Sequence, residues 1–173
     1  IPNLWIPNLW IPNLWIPKSF NIVISSNMVF SSAAEDTDDA YDDGPCTGSA
    51  VGIVTPKGEI AALGYCFGGG VVLNMARAGE PLKAVVSYHG VLATDVAVKP
   101  GGIKAKIRVF HGEADPIVPP EQVDAFKTEM GNAKADYMLV AYPGVKHTFT
   151  NREADSYAAQ FGLPLKYDNA ADT

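Results

Sequence analysis

Residues 64–69 read Gly-Tyr-Cys-Phe-Gly-Gly, and this stretch decides the fold. An apolar run, residues 60–63, precedes it, and a run typical of a helix, residues 71–76, follows it. The pattern predicts a strand, a tight turn and a helix, with the Cys66 thiol at the tip of the turn. Gly-x-Cys-x-Gly is the cysteine form of the nucleophile elbow. Its glycines admit a strained backbone where neighbouring Cβ atoms would otherwise collide.

The predicted position of Cys66 favours a reactive thiol. A helix N-terminus stabilises the thiolate, because the helix dipole and the first N–H groups attract negative charge. The alternative interpretation is a glycine-rich turn that carries an inert cysteine, and the hexapeptide alone leaves it open.

Composition excludes several classes of protein. A length of 173 residues, 47% of them hydrophobic, predicts one globular domain with a real core. The net charge of -6 and the lack of a basic block argue against a nucleic-acid partner. No apolar run is long enough to cross a membrane, and no secretory signal is recognisable. Cys46 and Cys66 are too few for a disulfide scaffold. We therefore expect a cytoplasmic protein without a membrane or nucleic-acid partner, and we expect a monomer.

The chain divides into three predicted segments. Residues 1–17 repeat Ile-Pro-Asn-Leu-Trp, and a proline at every fifth position excludes a helix or a central strand. We interpret this repeat as artefactual or disordered; the alternative is a Pro-rich peptide-binding segment. Residues 18–49 are predicted to be an acidic linker with a possible strand, and the spacing of their carboxylates does not fit a calcium loop. Residues 50–173 are predicted to form a partial α/β domain.

Within residues 50–173, apolar runs alternate with a helical pattern. The predicted strands are residues 51–54, 60–63, 84–88, 107–110 and 137–142, and the predicted helices are residues 69–78 and a second one that begins at Pro120. In the second helix, Val123, Phe126 and Met130 are spaced to form one buried face. This alternation predicts a mostly parallel sheet with helices on both faces.

Three polar residues follow predicted strands. In such a sheet, functional side chains lie beyond the carboxyl ends of the strands. Cys66, Asp115 and His147 occupy such positions, and their order along the chain is the nucleophile–acid–histidine order of the α/β-hydrolase triad. His147 would accept the thiol proton, and Asp115 would fix the imidazole tautomer.

Other residues compete for these roles. His89 and His111 also end predicted strands, so each is a candidate for the base. Asp115 precedes a proline and could simply begin a turn. The Cys and His residues lack the close paired spacing of zinc sites, so no metal is expected.

At this point the sequence resembles the dienelactone hydrolase family of the α/β-hydrolase superfamily. The resemblance covers about residues 59–172. The matching stretches are residues 64–69, 86–90, 111–123 and 142–151.

The resemblance implies hydrolysis of carboxylic esters or lactones through an acyl-enzyme, with no cofactor. It implies a catalytic triad of Cys66, Asp115 and His147, with the Phe67 N–H as an oxyanion-hole donor. The candidate substrate-binding residues are Tyr88, Phe149 and Arg152.

The sequence also departs from the family pattern. Family members have a longer N-terminal part of the sheet, which supplies a second oxyanion-hole donor, and residues 1–50 do not match it. The chain stops where the last helix of the family would begin. We therefore expect a domain truncated at both ends and lacking the N-terminal strands. The alternative is a catalytically impaired fragment with no enzymatic role.

Two further departures bear on the substrate and on rival folds. Dienelactone-specific members place an arginine four residues after the histidine, where this chain has Asn151, with Arg152 one residue later. A broader ester or thioester substrate fits as well. An amidotransferase-like cysteine fold is disfavoured, because those proteins usually place a histidine directly after the cysteine, and Phe67 stands there.

Overall fold

A computed structural model of the protein describes residues 23–25, 50–54, 59–95 and 97–173. The elements in chain order are β1 Val23–Ser25, β2 Ala50–Val54, β3 Ile60–Tyr65, α1 Phe67–Arg77, β4 Leu82–Tyr88, β5 Lys106–Gly112, α2 Pro120–Ala133, β6 Tyr137–Tyr142 and α3 Ala154–Phe161.

The described strands form a six-stranded sheet in the order β1-β2-β3-β4-β5-β6. Strands β3 to β6 are parallel to one another. Strand β2 pairs antiparallel with β3, with Ala50 opposite Gly64 and Val54 opposite Ile60, and β1 pairs parallel with β2. The predicted mostly parallel α/β sheet is thus confirmed.

Helices α1 and α2 pack against the same face of the sheet. The predicted buried face of α2 is confirmed, because Val123, Phe126 and Met130 lie in the main core. That core also contains residues from α1 and from the centre of the sheet: Val72, Leu73, Ala76, Val85, Ile107 and Val109. The shared face follows from topology. Right-handed crossovers between successive parallel strands that advance in one direction place their helices on one side.

A smaller cluster lies on the opposite face, near the carboxyl ends of the strands. Val145, Phe149 and Ala171 are buried there against half-buried rings of Tyr88, Phe110 and Tyr142. The Tyr88 ring stacks on Tyr65 and on Phe110, at centroid distances of 5.1 and 4.8 Å. The C-terminal segment thus packs beside the strand ends where functional residues are expected.

Arg77 joins the two helices through a buried ion pair. Its Nε and Nη2 atoms donate to the two carboxylate oxygens of Glu129 at 2.9 and 2.8 Å, and its Nη2 also donates to the Leu92 carbonyl. The Arg77 side chain is 1% exposed and the Glu129 side chain 20% exposed. These paired N–H donors hold the two helices in a fixed position relative to each other.

The structure extends the predictions at several points. Helix α1 begins two residues earlier than predicted, and α3 was not predicted. The possible strand in the linker corresponds to β1. The predictions for residues 1–17, for the rest of the linker and for Cys46 lie outside the described residues.

In the part of the chain that the structure describes, every helix is too short or too polar to span a bilayer.

We predict that Glu129→Ala lowers the free energy of unfolding by about 2–3 kcal/mol, because it leaves the Arg77 guanidinium buried without its carboxylate. Urea unfolding is the measurement. Lys127→Ala is the matched control on the same helix. Its ion pair with Asp124 is exposed, so the change should stay below about 0.5 kcal/mol. Equal losses in the two variants would contradict the structural role of the Arg77 pair.

Candidate active site

Cys66 occupies a strained turn between β3 and α1. Its backbone has φ 51° and ψ -122°, and it is the N-terminal capping residue of α1. The turn brings the end of β3 very close to the first turn of the helix. A Cβ on Gly64 would lie 2.2 Å from the Gly68 carbonyl oxygen, so only glycine fits there. The sequence thus forms the predicted elbow, which places a half-buried thiol at a helix N-terminus.

The Cys66 thiol lies at one end of a chain of polar contacts. Its Sγ is 3.2 Å from His147 Nε2, and His147 Nδ1 is 2.6 Å from Asp115 Oδ2. The carboxylate accepts, so Nδ1 carries the proton and Nε2 presents a lone pair to the thiol. The structure therefore brings together the three residues that the sequence predicts for the triad.

Asp115 is held as an ionised acceptor. It lies on the loop after β5, and its Oδ1 accepts from the backbone N–H groups of Ile117 and Val118 at 2.8 and 3.3 Å. Burial by itself would raise the pKa of Asp115, but the contact with His147 and these two N–H donors outweigh it. The net pKa is lower than that of an ordinary aspartate.

The loop after β6 presents His147, whose side chain is 1% exposed. The C-terminal segment fixes this loop, since the Lys166 N–H donates to the His147 carbonyl and the Asp168 N–H to the Phe149 carbonyl. Thr148 next to it has φ 63°, outside the region that most residues adopt. The position of the imidazole thus depends on chain far beyond β6.

His89 lies at the end of β4 and contacts the elbow through its backbone. Its Nδ1 is 3.2 Å from the Cys66 backbone nitrogen, and its Nε2 is 2.8 Å from Thr150 Oγ1. Burial lowers the pKa of His89 to about 3, and the neighbouring His147 acts in the same direction. His89 is thus a neutral imidazole with both nitrogens engaged, which argues against the role of base.

His111, the other competing histidine, is buried near the end of β5. Burial lowers its pKa, and its Nδ1 has no hydrogen-bond partner among the described residues. The contact with the thiol is made by His147.

The remaining candidate residues take different positions. Phe67 is the first residue of α1 and is 41% exposed. Tyr88 is half-buried in the aromatic stack. Phe149 is fully buried and packs edge-on against His89, so it forms part of the core. Arg152 lies on an exposed turn before α3.

The sequence did not single out Thr150. Its only signal is its position three residues after His147, on the same loop. Within the described ranges, no group of three His, Cys, Asp or Glu side chains could hold a metal ion.

Comparison with known proteins places this geometry in context. The Dienelactone hydrolase family matches residues 51–172. A second family, of unknown function, matches residues 21–78.

Similar proteins include an uncharacterized protein of Caenorhabditis elegans, 34% identical over 105 residues, which are 59% of this chain and 66% of that protein. A carboxymethylenebutenolidase homolog of Xenopus tropicalis is 28% identical over 96 residues, 55% of this chain and 38% of the homolog. A crystal structure of a dienelactone hydrolase-like promiscuous phosphotriesterase, P91, from metagenomic libraries superposes with a TM-score of 0.57. The two chains are 36% identical, and the match covers 65% of this chain and 46% of P91.

We predict that falling pH destabilises the fold well before the pH at which Asp115 protonates. The pKa of His89 in the folded chain is about 3. As the pH falls below the ordinary histidine pKa of 6.5, only the unfolded chain therefore gains a proton on this residue. Falling pH therefore lowers the free energy of unfolding, and His89 alone contributes at most about 1.4 kcal/mol per pH unit. His111 acts in the same direction. The stabilisation from Asp115, whose pKa is lowered, is lost only below its unfolded value of 3.8.

Urea unfolding at about pH 7, 6 and 5 measures this slope. In His89→Asn the titrating group is gone, so the slope should be smaller than in the wild type. An unchanged slope in that variant would show that His89 is not buried in its neutral form.

Proposed function

Because the chain belongs to the dienelactone hydrolase family of α/β-hydrolases, we propose that it hydrolyses carboxylic esters or lactones through an acyl-enzyme on Cys66. One observation carries the proposal: Cys66 Sγ, the His147 imidazole and the Asp115 carboxylate form a continuous chain with contacts of 3.2 and 2.6 Å. A nucleophile, a base within hydrogen-bond distance and a group that orients the base are the parts that covalent catalysis needs.

The first proposed step is acylation. His147 Nε2 takes the proton from Cys66 Sγ, and the thiolate attacks the carbonyl carbon of the ester. The imidazolium that forms is stabilised by Asp115, whose lowered pKa keeps it ionised. When the tetrahedral intermediate collapses, the C–O bond breaks and the alcohol leaves with the proton from His147 Nε2. Cys66 is left as a thioester.

The second proposed step is deacylation. His147 accepts a proton from water, the resulting hydroxide attacks the thioester carbon, and the C–S bond breaks. The carboxylic acid leaves, and Cys66 regains its proton from His147. No oxidant, metal or cofactor takes part in either step.

The Phe67 backbone N–H is the proposed oxyanion-hole donor. The residue after the nucleophile supplies this donor in elbow enzymes, and here it opens α1, where the helix dipole adds positive potential. Losing one such donor in a serine hydrolase costs about 10²–10³ in rate. The rate of this chain therefore depends on whether a second donor reaches the same position.

The proposed substrate is a simple carboxylic ester or a lactone. Arg152 lies on an exposed turn, which is compatible with a role in binding a substrate carboxylate. Phe67, which directly follows the nucleophile, and Ile117, two residues after the acid, are exposed apolar residues. These two side chains suit an apolar group on the substrate.

A second candidate activity is hydrolysis of phosphotriesters. The observation that favours it is the 36% identity to P91, a promiscuous phosphotriesterase. The same thiolate would attack phosphorus in place of carbon, the P–O bond to the aryl group would break, and the aryl alcohol would leave with the proton from His147. An aryl dialkyl phosphate is therefore the second substrate to test.

The alternative of a catalytically impaired chain makes a distinct prediction. This chain spans 46% of P91 and 38% of the Xenopus homolog. If the part of those relatives that this chain does not span supplies essential catalytic groups, the folded chain will react with thiol reagents at Cys66 and yet not turn over an activated ester.

We predict that the chain hydrolyses an activated aryl acetate and that Cys66→Ala reduces kcat/KM to the background rate. His147→Gln should lower kcat/KM by about 10³-fold or more, since no base remains for the thiol. His111→Gln is the matched control, because His111 is a buried histidine at a neighbouring strand end. Its effect should stay within about tenfold, the range of an indirect packing change. Loss of turnover in His111→Gln together with activity in His147→Gln would show that His147 is not the base.

A further inference from the structure

His89 joins the two segments that carry the nucleophile and the base. On one side its Nδ1 lies 3.2 Å from the Cys66 backbone nitrogen, and on the other its Nε2 lies 2.8 Å from Thr150 Oγ1. The His89 ring also packs edge-on against the His147 ring, at a centroid distance of 5.2 Å. One imidazole therefore contacts the elbow, the base and the loop that carries the base.

The chemistry of these contacts fixes the protonation of His89. A backbone N–H can only donate, so Nδ1 must accept from Cys66 and the ring proton resides on Nε2. Nε2–H then donates to the Thr150 hydroxyl oxygen. The Cys66 N–H also points at the Tyr88 carbonyl, at 3.0 Å, so it is shared between two acceptors.

Burial and a backbone hydrogen bond restrain His89. His89 is 2% exposed. Its φ is 38°, an uncommon value for a residue with a side chain, and its own N–H donates to the Phe110 carbonyl of β5 at 2.8 Å. The ring is thus held by its neighbours, while the residue it contacts, Cys66, is itself strained.

We propose that His89 is a positioning residue: as a neutral imidazole between Cys66 N–H and Thr150 Oγ1, it aligns the thiol with His147. The inference rests on the proposed function, because it assigns His89 a part in the same site. His89 makes its hydrogen bonds to the Cys66 backbone N–H and to Thr150 Oγ1, and it packs against the His147 ring. It restrains the nucleophile residue on one side and the loop three residues beyond His147 on the other.

Neutrality is the second part of this role. A positive charge on His89 would lie beside the His147 ring and would oppose proton transfer from the thiol to Nε2. The acceptor role of Nδ1 toward Cys66 and the burial of the ring both exclude that charge. His89 can therefore support the strained turn without competing for the thiol proton.

The test is the alkylation rate of Cys66 by iodoacetamide as a function of pH, in a Cys46→Ser background. This rate reports the thiolate population and needs no ester turnover. His89→Phe keeps a ring and removes both nitrogens. His89→Asn keeps an acceptor at the place of Nδ1 and suits the positive φ, since Asn tolerates that region. Thr150→Val removes the acceptor for Nε2–H, and Thr150→Ser retains it.

We expect His89→Phe to lower the alkylation rate near neutral pH by about tenfold or more, since a small misplacement of reacting groups costs up to about 10²-fold. His89→Asn should recover most of the loss. Thr150→Val should be slower than the wild type and Thr150→Ser close to it. With an aryl acetate, the same variants should lose kcat while KM changes little.

A folded His89→Phe protein with the wild-type alkylation profile would overturn the proposal, since His89 would then serve packing alone. If His89→Phe does not fold, equal alkylation rates in Thr150→Val and Thr150→Ser would overturn the proposal instead. The outcomes also separate this inference from the proposed function. Ester turnover that is absent in the wild type, with alkylation still dependent on His89, would reject the hydrolase activity and retain the positioning role.

Discussion

The close approach of β3 and α1 is the constraint on which the rest of the site depends. The strand reverses into the helix within one residue, and the space between Gly64 and the Gly68 carbonyl leaves no room for a Cβ. This turn forces Cys66 into a positive φ and places its thiol at the start of α1. The helix then crosses the sheet and ends at Arg77, whose ion pair with Glu129 holds α2 beside it. A local steric condition thus fixes both the nucleophile and the main core.

Strands β3 to β6 each deliver one residue to the same edge of the sheet. Cys66 follows β3, His89 follows β4, Asp115 follows β5 and His147 follows β6. Parallel strands make this convergence possible, because their carboxyl ends lie side by side. The His89, Asp115 and His147 side chains are buried. They are held by Thr150 and by local N–H donors, and the C-terminal segment fixes the loop that carries His147. The rigidity of the site therefore comes from its hydrogen bonds as much as from the sheet.

The sequence predicted the parts of this structure that are coded locally. Residues 64–69 carry their own steric signature, and α2 carries a clear helical period, so the elbow and the buried face with Phe126 were identified from the sequence. The chain order of Cys66, Asp115 and His147 sufficed to predict their meeting, because topology fixes where strand ends lie. Placing α1 and α2 on one face requires the strand order, which no local pattern encodes.

The sequence does not predict the roles of His89 and Thr150, for a related reason. Both depend on contacts across 23 and 61 residues of chain, and a lone histidine at a strand end is equally consistent with a base. Phe149 shows the opposite case. It was a candidate substrate-binding residue, whereas the β6–α3 loop folds its ring inward. Short-range spacing predicts which residues share a loop, but not the direction in which each side chain points.

The most direct test of the central claim is the detection of the acyl-enzyme. The folded chain is mixed with an excess of an aryl acetate, the release of aryl alcohol is followed from the first turnover, and acid-quenched protein is digested and mapped by mass spectrometry. The account predicts an initial burst of about one equivalent of aryl alcohol per active site and an acetyl group on the peptide that contains Cys66. Turnover without acetylation of Cys66, or undiminished turnover in Cys66→Ala, would contradict it.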